Sequence, residues 1–265
     1  SLSRTPAALM RGDAIHALTR GAIALPYDWD VFRQEDCGVI AADAARAFLL
    51  RQAARWGAKL THNARVAAPI VGPALSIDSQ ARTFDAVIVC CGAWGGKLLP
   101  EFAGKLAVKR RVVGYFRTET PRLLPVICCD DEAGIYGMPA PGGLYKFGFH
   151  AVGGAADPDA VREPDAADEA LLSEHAETLL PRHDPRPVRM ARCLYTVTPD
   201  ENFLIAPSAA HPRVLLFSAC SGHGFKYAPV FGQFAEEWLN EKPSSELLAF
   251  MRGGGRVNRL GAEKG

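Results

Sequence analysis

A chain of 265 residues that is 48% apolar and 22% charged can bury a real core and is long enough for one large domain or two interleaved ones, which excludes disorder. Glycine (25) and proline (19) stay well below collagen-like or low-complexity levels. Thirty basic against 29 acidic residues leave a formal charge of +1, so no global field recruits polyanions and no nucleic-acid partner is expected. The longest apolar run, residues 86–91, is far short of the ~18–20 residues of a membrane span, so no membrane partner is expected either. The first twenty residues hold no apolar signal segment, which makes a cytoplasmic setting the expectation. The seven cysteines are odd in number and include the adjacent pairs Cys90-Cys91 and Cys128-Cys129, so they read as reduced thiols. No C-x-x-C or Cys/His spacing suggests a metal site.

The chain starts Ser-Leu-Ser rather than with Met and runs directly into helix-like sequence, which suggests a fragment. Residues 12–19 read as a short helix and 23–36 as mixed loop and strand. From 41 to 56 there is no Gly or Pro, Asp43 sits in the first turn, Ala44, Phe48 and Leu49 share a face, and Gly57 follows as a stop. Short β-like pieces follow at 59–61, 65–70 and 74–77, then Asp85-Ala-Val-Ile-Val-Cys-Cys-Gly92, which reads as a buried parallel strand. Alternating runs at 106–117, 134–138 and 144–151 predict an antiparallel sheet. Within them, the basic run 105–117 reads as a charged strand face, since it lacks the aromatic interleaving of a nucleic-acid patch. Residues 165–180 carry a helical stripe of Leu171, Leu172, Ala176, Leu179 and Leu180 with an acidic opposite face, and Pro181 ends it; His175 on this stripe reads as packing. The last third predicts a strand at 213–218, a glycine turn, a helix at 228–239 and a short helix at 244–251 capped by Gly253. Helix and strand at both ends around an antiparallel middle indicate a nucleotide-binding layer interrupted by a sheet-based substrate layer.

Two segments carry the chemistry: Arg192-Cys193-Leu-Tyr195-Thr196-Val-Thr198-Pro199-Asp200-Glu-Asn-Phe203 and Ser221-Gly222-His223-Gly224-Phe225-Lys226-Tyr227. In the second, a strand delivers the chain into G-x-G and then a helix, so backbone N–H groups point at whatever sits above the turn, and an anionic or electron-rich ligand suits them. It is no Rossmann fingerprint, because Tyr227 stands where a third glycine belongs and no βαβ unit follows. The plainer reading is a tight turn that needs positive φ. Lys146, Gly148 and His150 fall on one strand face, which could accommodate a ligand; a solvated edge-strand lysine is the plainer account of Lys146. Cys193 is either a buried structural thiol or a reactive one that Arg192 favours as thiolate, although neighbours in a strand point to opposite faces. A hydrolase with Cys193 as nucleophile and His150 or His223 as base lacks any oxyanion or triad signature. The remaining cysteines, Cys90, Cys91, Cys128, Cys129 and Cys220, read as core packing.

On the pattern from Cys193 to Phe203, on Ser221 through Lys226, on Gly134-Ile-Tyr136-Gly137 and on Lys146-x-Gly148-x-His150, the sequence closely resembles the monomeric sarcosine oxidase and N-methyltryptophan oxidase branch of the D-amino-acid-oxidase-like flavoproteins. Arg65-Val66, Val87 to Trp94 and Arg111-x-Val113-Gly114 fall in the expected order, and the likeness covers about residues 14–248. It implies an α/β, mixed α+β fold of the FAD-dependent oxidoreductase type. An incomplete Rossmann-like FAD layer would comprise 32–103 and 199–265, and a mixed or antiparallel-sheet substrate domain 1–31 and 104–198. The layer is incomplete because the family opens with a strand, G-x-G-x-x-G and helix, a motif this sequence does not contain.

The same resemblance implies FAD as cofactor, held through a thioether from Cys193 to the flavin 8α-methyl group. Lys146 would lie against the flavin and promote reaction with O₂ by stabilising superoxide. Tyr136, His150, Tyr195 and His223 would belong to the substrate pocket, and Lys226 would hold an amino-acid carboxylate. Gly222, Gly224 and Phe225 would sit at the flavin, with the helix start after Gly224 favouring negative charge on its pyrimidine edge. Val66, Gly92 and Trp94 would flank the adenine and ribose. The implied reaction is oxidation of the CH–NH bond of a secondary or N-methyl amino acid, with O₂ reduced to H₂O₂. The alternative is a truncated, non-catalytic member unable to bind FAD alone. Sarcosine, N-methyltryptophan and pipecolate-like amines remain undivided, and the oligomeric state is open.

Overall fold

The computed structural model describes residues 7–118, 124–218 and 221–251. The chain forms two compact units that exchange segments: Ser1–Ile40, Arg110–Gly154 and Val161–Cys193 in the first, Ala41–Lys109, Ala155–Ala160 and Leu194–Gly265 in the second.

Strand β1 (Ala7–Arg11) runs into helix α1 (Gly12–Leu18), and the chain returns as β2 (Asp30–Gln34), antiparallel to β1. β1 escapes a reading by propensity because Ala-Ala-Leu-Met favours helix, and pairing with β2 decides otherwise. Helix α2 (Ala42–Arg55) lies where the Gly- and Pro-free run places it, yet none of its residues is buried, and Phe48 and Leu49 are 52% and 54% exposed. Its apolar face is real but left open. Residues 59–61 and 65–70, expected as strands, form none; only Val66 makes a single bridge, to Ile77. β3 (Ala74–Ile77) and β4 (Gln80–Thr83) form a hairpin through Asp78 and Ser79, both at positive φ, the geometry that lets a two-residue turn match the strand twist. β5 (Val87–Val89) is shorter than the apolar run that announces it, and a 3₁₀ turn at Gly92–Trp94 leads on into α3 (Gly95–Leu98).

The antiparallel middle is a five-stranded sheet of β6 (Ala107–Arg117), β7 (Ile127–Cys128), β8 (Ile135–Ala140), β9 (Leu144–Phe149) and β10 (Arg189–Val197), in the order β10-β6-β9-β8-β7. One face carries Phe116, Tyr145, Phe147 and Phe149, all nearly inaccessible to solvent, with the Phe116 and Phe147 rings stacked at 4.5 Å. Helix α4 (Ala166–Leu179) supplies Leu172, Ala176 and Leu179 to the same cluster. Asp165 starts that helix with a capping box, its carboxylate accepting from the Ala167 and Asp168 N–H groups while Asp168 accepts from the Asp165 N–H. His175 packs edge-on against Phe149 at 4.7 Å, in keeping with a packing role.

In the second unit β11 (Leu204–Pro207), antiparallel, and β5, parallel, flank β12 (Val214–Ser218). Every residue of β12 is buried: Val214 and Leu216 join one apolar cluster, Leu215 and Phe217 another. The second cluster takes Phe234 from helix α5 (Ala228–Leu239) and Leu247 from α6 (Ser245–Met251). Among the described residues β5 is an edge of this sheet, and its Val87 and Ile88 are only half-buried. Gly253 and Cys220 lie outside the described residues. Of the other cysteines read as core, Cys90 and Cys128 are exposed because their strands end beside them; Cys91 and Cys129 are half-buried, and burial with Asp131 nearby pushes the Cys129 thiol up to about 12.

The basic run on β6 is also not a solvated face, since Arg110 and Arg111 are 9% and 3% exposed. Arg110 makes a two-pronged contact with Asp168 at 2.9 and 2.6 Å and donates to the Arg162 and Glu163 carbonyls. Those bonds hold the Asp168 carboxyl below its usual range against the opposing effect of burial. A carboxyl whose folded pKa is depressed stabilises the fold above its unfolded value, and that contribution is lost as pH falls through the folded value. Urea midpoints should therefore decline in acid below about pH 4. Asp168→Ala should cost about 3–5 kcal/mol at neutral pH by stranding a buried guanidinium, and its acid decline should be shallower; parallel acid profiles for the two proteins would count against the pair.

Candidate functional site

In the first unit, the sheet face turned away from α4 follows from register. Lys146 stands opposite Tyr115 on one side and Met138 on the other, and Gly148 stands opposite Val113 and Tyr136. Cross-strand partners share a face, so these residues form one surface, and Arg111 joins it by the two-residue period of β6. Gly148 is required by closeness: a Cβ there would come within 2.8 Å of Val113 Cγ1 and 3.4 Å of the Tyr136 hydroxyl. The Tyr136 and His150 rings meet at 4.4 Å. Because β9 lies inside the sheet, Lys146 is not the edge-strand lysine that its sequence pattern allows.

Cys193 lies on β10, next to β6, and is half-buried. Burial pushes its thiol up on balance, and the positive charges of Lys146 and then Arg111 offset part of that effect. Arg192, the expected neighbour of the thiolate, instead bonds Glu163 at 2.6 Å, as alternation along the strand demands. Arg111 is the residue that sequence reading missed. Its signal was the spacing Arg111, Val113, Tyr115, obscured by reading the whole basic run as one charged face.

The second unit holds the glycine turn. Ser221 and Gly222 take positive φ, +54° and +84°, whereas Gly224 has an ordinary φ of −75°, so only the first glycine answers a backbone need. The Ser221 N–H donates to the Thr196 carbonyl at 2.8 Å and its Oγ to the Asn202 carbonyl at 2.9 Å. Thr198 Oγ1 reaches the Asn202 carbonyl at 2.8 Å and Asp200 Oδ1 at 2.9 Å. The Thr-x-Thr-Pro-Asp motif thus ties its own loop to the turn. Tyr195 lies under Gly222, where a Cβ would approach its ring to 2.4 Å. His223 packs on Phe203 at 4.8 Å, with Nδ1 3.0 Å from the Ser221 carbonyl. Phe225 and Lys226 lie exposed on a 3₁₀ turn (Phe225–Tyr227) that separates Gly224 from the start of α5.

β5 and β12 are parallel, so the Gly92 turn and the Ser221–Gly224 turn leave the same carboxyl edge of their sheet, where α/β folds place ligands. Gly92 adopts φ +54°. Trp94, 42% exposed, donates to Asp159 at 2.7 Å, and Val66 packs in the same apolar cluster as Cys91. The predicted residues therefore gather in two places: Tyr136, Lys146, His150 and Cys193 on the sheet face of the first unit, and Tyr195, Gly222, His223 and the Gly92 turn at the strand ends of the second. No group of acidic, His or Cys residues able to hold a metal occurs among the described residues. No helix there is long and apolar enough to cross a membrane.

Residues 4–238 match the family described as DAO, FAD dependent oxidoreductase. The chain belongs to that family. It is 30% identical to monomeric sarcosine oxidase of Bacillus sp. (strain B-0618) over 91% of its own length and 66% of the relative's. To N-methyl-L-tryptophan oxidase of Salmonella heidelberg it is 28% identical over 91% of its length and 68% of that protein's. Among solved structures, NikD, an unusual amino acid oxidase essential for nikkomycin biosynthesis, superposes with a TM-score of 0.75 at 22% identity, covering 91% of this chain and 67% of that one. The mixed fold of this chain is that of these oxidoreductases, and the chain spans about two thirds of their length. The donor chemistry of the first unit's sheet face fits a flavin: a thiol near two cations suits an electron-poor ring that gains negative charge on reduction. Gly222→Ala should force Tyr195 from under the turn, lowering the thermal midpoint and shifting the tyrosine near-ultraviolet dichroism; an unchanged spectrum would disprove the contact.

Proposed function

We propose that this chain carries the flavin-ring and substrate-binding part of an FAD-dependent amine oxidase acting on the CH–NH bond of a secondary or N-methyl amino acid. The observation that carries this reading is the sheet face that gathers Lys146, Gly148, Tyr136 and Arg111 beside the strand of Cys193, in a chain whose relatives are sarcosine and N-methyltryptophan oxidases. The FAD layer is assigned to 32–103 and 199–265 and the substrate layer to 1–31 and 104–198. FAD, when bound, supplies the acceptor for the two electrons of the amine, which pass on to O₂ to give H₂O₂.

The chain's own residues then have distinct tasks. Cys193 is the tether, through a thioether. Lys146 keeps a fixed positive charge on the face where electrons leave for O₂. Tyr136 and His150, in ring contact, form an aromatic wall that orients the amine and excludes water. In the second unit Lys226 holds the substrate carboxylate, Tyr195 and His223 line the pocket, and Gly222, Gly224 and Phe225 present backbone to the ring. Val66, Gly92 and Trp94 serve the adenine and ribose end. The free thiols suit a reducing, cytoplasmic setting.

The test is an absorption spectrum of the purified chain before and after acid precipitation. Flavin bands that stay with the precipitate and vanish in Cys193→Ser are expected. A folded, colourless protein that also refuses added FAD would overturn this reading in favour of a non-catalytic member of the family.

A further inference from the structure

We infer that Arg111 is a positioning residue for the Cys193 thiol, holding a permanent positive charge beside the sulfur that offsets part of the cost of forming thiolate when an electrophilic ring is brought to it. The inference rests on Cys193 as the flavin tether, but it concerns a property of the sulfur that is measurable without flavin.

Three observations support it. First, β6 lies between β10 and β9; Arg189 of β10 stacks over Tyr115 of β6, and Arg192 bonds the Glu163 whose carbonyl Arg110 also meets, so β10 runs back along β6 from Tyr115 toward Arg110 and brings Cys193 level with Arg111 on the face turned away from Arg110 and Arg192. Second, the guanidinium is 3% exposed and its Nη1 is clamped by the Arg110 and Gly153 carbonyls, both at 3.2 Å. Gly153 makes the clamp possible: at φ +127° it brings its backbone so close that a Cβ would stand 2.1 Å from the Arg110 carbonyl oxygen and 2.9 Å from Arg111 Nη1. Third, the nearby cations have other partners. Arg110 is bound to Asp168, Arg192 to Glu163, and Arg189 stacks 3.8 Å over the Tyr115 ring. The positive charges of Lys146 on β9 and Arg111 on β6 both favour the thiolate of Cys193, against burial. A guanidinium keeps its charge at any pH a protein survives, so Arg111 is a constant charge on this face.

The test follows the rate of iodoacetamide alkylation of Cys193 in the flavin-free chain across pH, read by peptide mass spectrometry, with exposed Cys37 in the same sample as internal standard. Alkylation joins carbon to sulfur, releases iodide and sends the thiol proton to solvent, so its rate reports the thiolate. Arg111→Gln should move the Cys193 midpoint upward and slow alkylation at neutral pH roughly three- to tenfold, leaving Cys37 unchanged. Arg111→Lys should recover most of the rate. A folded Arg111→Gln with an unmoved Cys193 profile overturns the inference. If Arg111→Gln does not fold, Arg111→Met, which keeps side-chain bulk without the charge, decides in its place: the same upward shift is expected, and a profile superimposable on the parent overturns the inference. A chain that shows the alkylation shift but never retains flavin overturns the tether alone; one that retains flavin through Cys193 without the shift overturns the role of Arg111 alone.

Discussion

The two-residue alternation of side chains across the five-stranded sheet is the constraint on which the rest depends. It sends Tyr145, Phe147 and Phe149 to one face, where α4 closes over them, and sends Lys146 and Gly148 to the other. A one-residue slip in β9 would exchange these sets, placing an ammonium in the core and three aromatic rings at the candidate site. The burial of those rings, each contributing about 1.5–3 kcal/mol, fixes the register far more strongly than any polar contact on the opposite face. The stability of the apolar side therefore positions the chemistry of the other.

Charge within this unit is distributed by the same rule. Arg110 and Arg111 are neighbours in sequence, but they serve opposite faces. Arg110 is neutralised by Asp168 and pins the start of α4 to the sheet, whereas Arg111 acts across to the next strand. Burying a guanidinium is costly unless its hydrogen bonds are met, and on each face carbonyl oxygens accept some of them. Around Cys193, desolvation outweighs the two cations, so the fold leaves the thiol harder to ionise than a free one.

The second unit answers to a different constraint, the burial of β12 on both faces. A fully apolar strand between two clusters gives the Ser221–Gly222 turn a rigid base, and Thr196, Thr198 and Asn202 fix the turn from the side with hydrogen bonds. The parallel pairing with β5 brings the Gly92 turn to the same sheet edge. By contrast α2 contributes no buried residue, although its apolar spacing is as regular as that of α4. Periodicity shows that a helix has a face; packing partners decide whether that face is covered.

Much of this was legible in the sequence because it is local. Helix α5 lies at the residues its period marks, α4 begins at the Asp165 capping box and ends by Pro181, and the alternating runs of β6, β8 and β9 form the expected antiparallel sheet. The motifs around Cys193 and Gly222 were likewise enough to indicate the family. What the sequence left undecided depends on partners distant along the chain. β1 and β4 are strands because β2 and β3 pair with them, not because their residues favour it. Cys193 takes its electrostatic neighbours from β6 and β9 rather than from Arg192 beside it, because adjacent residues in a strand face apart and residues on neighbouring strands face together. Local composition determined the elements and the chemical types available; only pairing in three dimensions decided which charges meet the thiol.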